Sequence, residues 1–139
     1  MAEDSDAVTD VILTDENVDV GDFSELNASI AGAENEFKLE KDYTYNQSTD
    51  GNFYDGINIE KDNFVIDGNG NTIDGKGLAR IFNINANNVT LKNIKLINGH
   101  RDDNGGAVYF AKNGTVENSI FINNTVPWGK KEEQFMQWT

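Results

Sequence analysis

Residues 82–98 read FNINANNVTLKNIKLIN, and the pattern of this stretch recurs along the chain about every 25 residues. The preceding copy, residues 57–73, reads INIEKDNFVIDGNGNTI, and the following one, residues 108–123, reads VYFAKNGTVENSIFIN. A fixed period in the twenties is typical of a solenoid, in which each repeat is one coil that buries its apolar face against its neighbours.

Within each copy the apolar residues alternate with polar ones. Phe82 and Ile84 flank Asn83, and Val89 and Leu91 flank Thr90. This period of two, broken by Gly and Asn, predicts three short strands per coil. The fold class is therefore all-β: a short parallel β-helix of about three to four coils, stacked at about 4.8 Å.

Polar turn residues recur with the same period. Two stacked lines are predicted: Gly68, Asn93 and Asn118 after the second strand, and Asp74, Asn98 and Asn123 after the third. Asn tolerates left-handed backbone angles, and its amide can bond to the same group in the coil above and below. These lines describe architecture and carry no catalytic information.

The segment before the coils predicts a short amphipathic helix. Asp22 is an N-cap candidate with Glu25 three residues later, and Gly32 is a stop signal. The apolar residues on one face are Phe23, Leu26 and Ile30. Because the terminal coil of a solenoid exposes backbone groups and apolar core, we interpret this helix as an N-terminal cap.

The chain divides into four parts on these signals. They are an acidic leader (1–21), the cap helix (22–35), the coils (36–126) and a non-repeat tail or cap (127–139). The tail either lays Phe135, Met136 and Trp138 on the last coil or marks a truncation, and we favour truncation.

Charge and composition exclude several classes of function. The net charge is −13, and 11 of the 24 acidic residues lie within residues 1–36, which hold no Lys or Arg. Without a basic patch, nucleic acid is a poor candidate partner. The chain has no cysteine, and no stretch reaches the ~18 apolar residues that a membrane span needs.

Two motifs in the last copy resemble those of known β-helices. They are Gly105-Gly106-Ala107-Val108 and Phe121-Ile122-Asn123-Asn124, and the stretch 67–75 reads DGNGNTIDG. The region 36–126 resembles the right-handed parallel β-helix repeats of adhesin-like surface proteins from methanogenic archaea, and is similar to the repeats of chlamydial polymorphic membrane proteins. The resemblance implies an adhesin-like module, secreted or on the cell surface, that contacts glycans or another cell surface.

The most polar and irregular turn contains the single histidine. Its residues are His100, Arg101, Asp102, Asp103 and Asn104. Paired carboxylates serve as acid and base in glycoside hydrolysis, so a fragment of a β-helical polysaccharide lyase or hydrolase is one alternative, and an inert stalk is another. Adjacent residues of one turn do not face a common point, so we interpret the chain as non-enzymatic. The loop is then either a solvated turn or a ligand-binding loop, and we take His100 to Asn104 as the candidate ligand-binding residues.

Calcium is a candidate ligand at two places, although no cofactor is required by the sequence. Asp102 with Asp103 forms one pair, and Asp67 with Asp74 flanks a Gly-rich turn that could lend carbonyl oxygens. The alternative interpretation is that these Asp residues only form turns through bonds to the backbone.

Aromatic residues and acceptor triplets complete the candidate surface. Four phenylalanines are predicted to face inward: Phe64, Phe82, Phe110 and Phe121. Five aromatics are predicted at outward or loop positions, where they could stack on sugar rings: Tyr43, Tyr45, Phe53, Tyr54 and Tyr109. Asn-x-Ser/Thr triplets begin at Asn27, Asn46, Asn88, Asn113 and Asn123, which fits a glycosylated surface protein.

Overall fold

A computed structural model describes residues 19–102 and 105–125, together with the backbone of residues 135–137. The described part contains one helix, α1 (Phe23–Gly32), a single turn of 3-10 helix (Gly51–Phe53) and twelve short strands. The strands are β1 (Glu36–Lys38), β2 (Tyr43–Thr44), β3 (Ile57–Ile59), β4 (Val65–Asp67), β5 (Thr72–Asp74), β6 (Phe82–Ile84), β7 (Val89–Lys92), β8 (Lys95–Ile97), β9 (Val108–Phe110), β10 (Gly114–Glu117), β11 (Ile120–Ile122) and β12 (Phe135–Gln137).

The strands form three parallel sheets that run along one axis. The orders are β3-β6-β9-β12 for the first-strand sheet, β1-β4-β7-β10 for the second-strand sheet and β2-β5-β8-β11 for the third-strand sheet. Each strand pairs with the equivalent strand one coil away, so Ile57 lies beside Phe82, and Phe82 beside Val108. This is a β-solenoid of about three turns with a helix at one end, and it confirms the predicted fold class.

The core lies inside the coils, where alternate residues of every strand point. Ile66, Ile73, Leu91 and Leu96 are fully buried, as expected for the period of two. Phe64, Phe82 and Phe110 are also fully buried, whereas Phe121 in the last coil is half-buried. The prediction of inward phenylalanines is therefore confirmed, with Phe121 less covered than the others.

Two tyrosines that were expected to face outward are instead in the core. Tyr43 and Tyr45 are 3% and 5% exposed. Tyr45 packs edge-to-face on Phe23 at 5.4 Å between ring centroids, and Gly21 forms a β-bridge to Tyr43. The prediction was wrong because β1 and β2 form a partial coil that the cap segment covers. Burial raises the pKa of both phenols.

The cap helix is confirmed at its predicted position. The Asp22 side chain accepts from the Glu25 N–H, and Phe23, Leu26 and Ile30 are buried. Gly32 is the last helical residue rather than the first one outside the helix. The helix packs on β1, β2 and β3, and none of the helices in the described ranges has the length and apolar character needed to cross a membrane.

A buried aspartate holds the N-terminus of α1. Asp50 is 0% exposed, and its carboxylate accepts from the N–H groups of Phe23 (2.8 Å), Ser24 (2.9 Å) and Asn46 (2.9 Å) and from Ser24 Oγ (2.6 Å). Burial raises the pKa of Asp50, but these hydrogen bonds outweigh burial and lower the pKa below its usual value. A carboxylate from a neighbouring loop therefore satisfies the free N–H groups of the first turn.

A lysine holds the opposite end of the same helix. Lys61 Nζ donates to the carbonyl oxygens of Ile30 (2.8 Å), Ala31 (3.1 Å) and Ala33. The ammonium group also lies 5.2 Å from the centre of the Phe64 ring. The negative charge of Asp50 lies at the N-terminus of α1 and the positive charge of Lys61 lies at its C-terminus, which is the arrangement that the helix dipole favours. The helix is therefore stabilised electrostatically at both ends.

The tail adds one strand to the solenoid. The repeat pattern predicts no strand after residue 127, but β12 pairs in parallel with β9, with Val108 beside Phe135 and Phe110 beside Gln137. These three residues therefore occupy the first-strand position of a fourth coil. The rest of the tail and residues 1–18 of the predicted leader lie outside the described residues.

Candidate functional site

The polar turn around His100 lies beside two earlier turns on one side of the solenoid. Backbone hydrogen bonds join three segments there: residues 45–56, residues 75–81, and residues 98–102 with 105–107. The Arg80 N–H donates to the Tyr54 carbonyl (3.0 Å), and the His100 N–H donates to the Ala79 carbonyl (2.9 Å). Stacked backbones thus bring side chains from three successive turns to one lateral face.

A carboxylate shared by two arginines joins these turns. Arg101 Nε donates to Asp55 Oδ1 (2.5 Å), and an Arg80 guanidinium N–H donates to the same oxygen (3.1 Å). Arg80 is buried, and its Nε donates to the Gly105 carbonyl (3.0 Å). Hydrogen-bonded ion pairs of this kind fix side-chain geometry. The arginine predicted to contact ligand is therefore positioned by Asp55, which sequence reasoning did not single out.

Two tyrosine rings lie against the arginine groups. The Arg101 guanidinium is 5.2 Å from the centre of the Tyr54 ring, and the Arg80 guanidinium is 5.3 Å from that of Tyr109. Tyr54 is 53% exposed, whereas Tyr109 is half-buried. Of the five aromatics expected outward, Tyr54 is the one whose ring is broadly open to solvent.

His100 and Asp102 of the predicted loop lie close to each other, and His100 also lies close to Thr125. His100 Nδ1 is 3.2 Å from Thr125 Oγ1, and His100 Nε2 is 3.7 Å from Asp102 Oδ1. The Asp102 side chain is largely exposed. Asp103 and Asn104 lie outside the described residues. We call Tyr54, Asp55, His100, Arg101 and Asp102 the Tyr54 patch.

The repeat period of about 25 residues could have predicted part of this patch. Asp55, Arg80 and Gly105 are separated by one repeat each, so the stacking of coils aligns them. The contact between Tyr54 and Arg101 has no such signal, because these residues lie at different points of their coils.

The predicted calcium residues Asp67 and Asp74 act as turn formers. Asp67 Oδ1 accepts from the Asn69 N–H (2.9 Å) and the Asn93 amide (3.1 Å). Asp74 Oδ1 accepts in the same way from the Lys76 N–H (2.7 Å) and the Asn98 amide (3.0 Å). Each carboxylate lies on a different sheet. In the described residues, no group of three or more His, Asp or Glu could hold a metal ion.

In the second predicted ladder Asn98 donates to Asp74 Oδ1. The first predicted ladder is present with a different first member. Asn118 donates to Asn93 Oδ1 (2.6 Å), and Asn93 donates to Asp67 Oδ1, so Asp67 takes the role expected of the neighbouring Gly68. A Cβ on Gly68 would lie 2.5 Å from Ile94 Cβ, so this glycine permits close stacking of the coils. The backbone adopts the left-handed region at Asn93, Asn98, Asn118 and Asn123.

A third ladder follows the first strands, and the sequence reasoning missed it. Asn88 donates to Asn63 Oδ1 (2.9 Å), and the Asn88 N–H donates to Asn113 Oδ1 (3.1 Å). The three residues are one repeat apart, so the period itself was the available signal.

A groove of about 630 Å³ lies between α1 and the first partial coil. Its walls carry the carboxylates of Asp19, Glu25, Glu40 and Asp42. Lys41 lies among them and pairs with Asp19 (3.2 Å) and Glu25. The groove is therefore part of the cap packing.

No protein-family model, curated protein or solved structure matches the chain. The Tyr54 patch must therefore be interpreted from its own chemistry.

Proposed function

We propose that this chain is a non-enzymatic, adhesin-like module of a secreted or cell-surface protein, and that it contacts neutral glycans through the Tyr54 patch. The observation that carries the proposal is the exposed Tyr54 ring backed by the Arg101 guanidinium. An aromatic ring with one open face is a stacking platform for the apolar face of a sugar.

The arrangement of charges supports binding rather than catalysis. The Asp55 Oδ1 atom accepts from two guanidinium groups, so this carboxylate positions the arginines of the patch. The Asp102 carboxylate and the His100 ring adjoin Arg101 in the same turn and are partly or largely exposed, so they can bond to sugar hydroxyls.

The patch is also held in place before any ligand arrives. Arg101 is bonded to Asp55, and the backbones of the three turns are bonded to each other. Because a preorganised surface loses little side-chain entropy on binding, even a small patch can contribute useful affinity.

The net charge favours a neutral ligand. The chain carries −13, and residues 1–36 alone hold 11 acidic residues with no Lys or Arg, so a polyanionic polysaccharide gains no net electrostatic attraction from the chain. Neutral hexose chains need no such attraction and offer the flat apolar faces that stack on tyrosine.

The proposal is tested on a glycan array that carries neutral and acidic oligosaccharides, with calcium and with chelator. We expect a saturable signal on neutral glycans that does not depend on calcium. Tyr54→Ala should reduce the signal about tenfold, and Tyr54→Phe should retain most of it because the ring is kept. Asp102→Ala combined with Asp103→Ala should reduce it about threefold.

The matched control is Ile120→Ala, because Ile120 has nearly the same exposure as Tyr54 (55% against 53%) on another part of the solenoid. Silence on every neutral glycan, or equal losses from Tyr54→Ala and Ile120→Ala, would rule the patch out. Circular dichroism of each variant distinguishes lost binding from lost structure.

A further inference from the structure

The five Asn-x-Ser/Thr triplets differ in how firmly the fold holds them. An oligosaccharide can be transferred to a folded chain only where the Asn amide and the hydroxyl two positions later can both enter the active site of a transferase. Such a segment must be exposed and free of the bonds that hold strands and helices together. The five triplets are clearly separated by this criterion.

Two triplets are part of the second-strand sheet. The Asn88 amide donates to Asn63 Oδ1 (2.9 Å), and the next residue, Val89, is fully buried in β7. The two residues that follow Asn113 lie in β10, in register with Val89 and Thr90 of β7. Neither triplet can enter an active site unless these strands separate.

Two further triplets are held by the cap and by the turn that contains His100. Asn27 is half-buried in the middle of α1. In the triplet that begins at Asn123, the middle residue Asn124 is 2% exposed, and Thr125 Oγ1 lies 3.2 Å from His100 Nδ1. The hydroxyl of this last triplet is therefore already engaged in the fold.

The triplet of residues 46–48 is the exception. All three residues are exposed, and they lie in the turn that follows β2. Asn46 Oδ1 accepts the Ser48 N–H (2.9 Å), which is a bond inside the triplet itself. Among the described residues, no hydrogen bond involves Asn46 Nδ2 or Ser48 Oγ. Both groups that a transferase must recognise are therefore accessible.

A groove beside Asn46 contains two exposed apolar side chains. It has a volume of about 540 Å³, and its walls include Val20, Leu78 and Asn46 itself. Val20 is 45% exposed and Leu78 is 48% exposed. Single exposed apolar residues are ordinary on protein surfaces, but here two of them share one concavity with an acceptor Asn. A sugar attached to Asn46 would remove apolar surface of both side chains from water.

We infer that Asn46 carries an N-linked oligosaccharide and that its first sugar lies in this groove. In the transfer, Asn46 Nδ2 forms a bond to the anomeric carbon of a lipid-linked oligosaccharide. The bond from that carbon to a phosphate oxygen of the lipid breaks, the lipid phosphate leaves with the bonding electrons, and Nδ2 gives up one proton. The inference rests on the proposed function only in that the chain is exported, and it makes no use of the Tyr54 patch.

The test uses the full folded chain, expressed without glycosylation, with a purified single-subunit oligosaccharyltransferase and its lipid-linked oligosaccharide. Intact mass and peptide mapping should show one oligosaccharide per chain, attached at Asn46. Synthetic peptides that contain each of the five triplets calibrate the enzyme. Relative to these peptides, the occupancy of Asn46 in the folded chain should exceed that of Asn88 by about tenfold or more, because paired strands open rarely.

Two variants at exposed neighbouring positions form a matched pair. Ser48→Ala should abolish transfer to Asn46 because it removes the recognised hydroxyl, whereas Gln47→Ala should leave transfer unchanged. Absence of transfer to Asn46 under conditions that modify its peptide would overturn the inference. Equal occupancy of Asn88 in the folded chain would overturn it as well.

The position of the first sugar is tested by the methyl signals of the modified chain in NMR spectra. Those of Val20 and Leu78 should shift on glycosylation, and those of Ile120 and Ile122, which are 55% and 42% exposed on β11, should not. Unchanged Val20 and Leu78 signals would overturn the placement in the groove. Because the glycan array uses the unmodified chain, silence on the array and lack of transfer to Asn46 are separate results.

Discussion

The two ends of this solenoid are built in opposite ways. At the N-terminal end α1 covers the first coils, with Asp50 bonded to one helix terminus and Lys61 to the other. At the C-terminal end of the described region, Val116 of β10 is half-buried and Ile120 of β11 is exposed. The same repeat is therefore fully packed beneath the cap and less completely packed in the third coil.

The largest expected effect comes from Asp50 at the closed end. Asp50→Ala removes the acceptor for the buried Phe23 N–H and for Ser24, so we expect the free energy of unfolding to fall by about 3 kcal/mol in urea titrations. Asp62→Ala is the control, because exposed Asp62 accepts only the Asn87 N–H and should cost about 0.5 kcal/mol. Similar losses from both variants would show that the helix is not anchored through Asp50.

Asp50 should also contribute to acid unfolding. Its folded pKa is lowered, so its stabilisation is present above the unfolded value of about 3.9 and is lost as the pH falls through the lower folded value. Urea titrations between pH 7 and pH 2.5 should therefore show a steeper loss of stability below about pH 4 for the wild type than for Asp50→Asn. Parallel curves would contradict the role of its charge.

A smaller effect is expected at the lateral turns. Asp55→Asn leaves the guanidinium groups of Arg80 and Arg101 without their shared carboxylate, and we expect a loss of about 2 kcal/mol. Asp42→Asn is the matched control, since its carboxylate accepts the Thr72 N–H. It should cost less than half as much by chemical denaturation. An equal loss of stability would mean that the ion pairs of Asp55 with the two arginines stabilise the fold no more than the single hydrogen bond of Asp42 does.

Loss of the charged partner at the C-terminus of α1 should destabilise the protein less than loss of the charged partner at its N-terminus. Lys61→Met keeps the packing on Phe64 but removes the bonds to the helix carbonyls, so we expect a loss of about 1 kcal/mol in thermal or urea unfolding. Lys112→Met, on an exposed lysine, should be neutral. A neutral effect of Lys61→Met would mean that the bonds from Lys61 to the helix carbonyls do not stabilise α1.

The smallest expected effect is the difference in stability loss between a substitution inside an asparagine ladder and one at its last described member. Asn93→Ala loses two side-chain bonds and Asn118→Ala loses one, while both backbones have a positive φ of similar size. The backbone penalty should therefore cancel, and Asn93→Ala should cost about 0.5 to 1 kcal/mol more. Equal costs would indicate that Asn118 already has a partner above it.

The fold could be predicted from the sequence because its strands follow from a local residue pattern that repeats at a fixed period. The repeat predicted the strands and the inward phenylalanines, and Asp22 with Phe23, Leu26 and Ile30 predicted the cap. The burial of Tyr43 was missed because it depends on which segment covers the first partial coil. Gly21 pairs with Tyr43 through backbone bonds to the neighbouring residues Asp42 and Thr44, and this pairing has no sequence signature.

The candidate site could be predicted from the sequence only in part. The loop at His100 was selected for its polarity, but its environment depends on Tyr54 and Asp55, which lie 46 or so positions away and belong to another coil. Asp50 and Lys61 were missed for the same reason, since their partners are helix backbone groups distant in the chain. Contacts that repeat at the coil period can be anticipated, and contacts between different phases of the coil cannot.

Native-state hydrogen exchange tests the difference between the two ends most directly. We expect slow exchange for the backbone amides of residues 65–74, which lie between paired coils beneath the cap, and faster exchange for residues 114–122, where Val116 and Phe121 are only partly buried. Equal protection of both regions would contradict the account, because it would mean that the cap adds no stability to the coils beneath it.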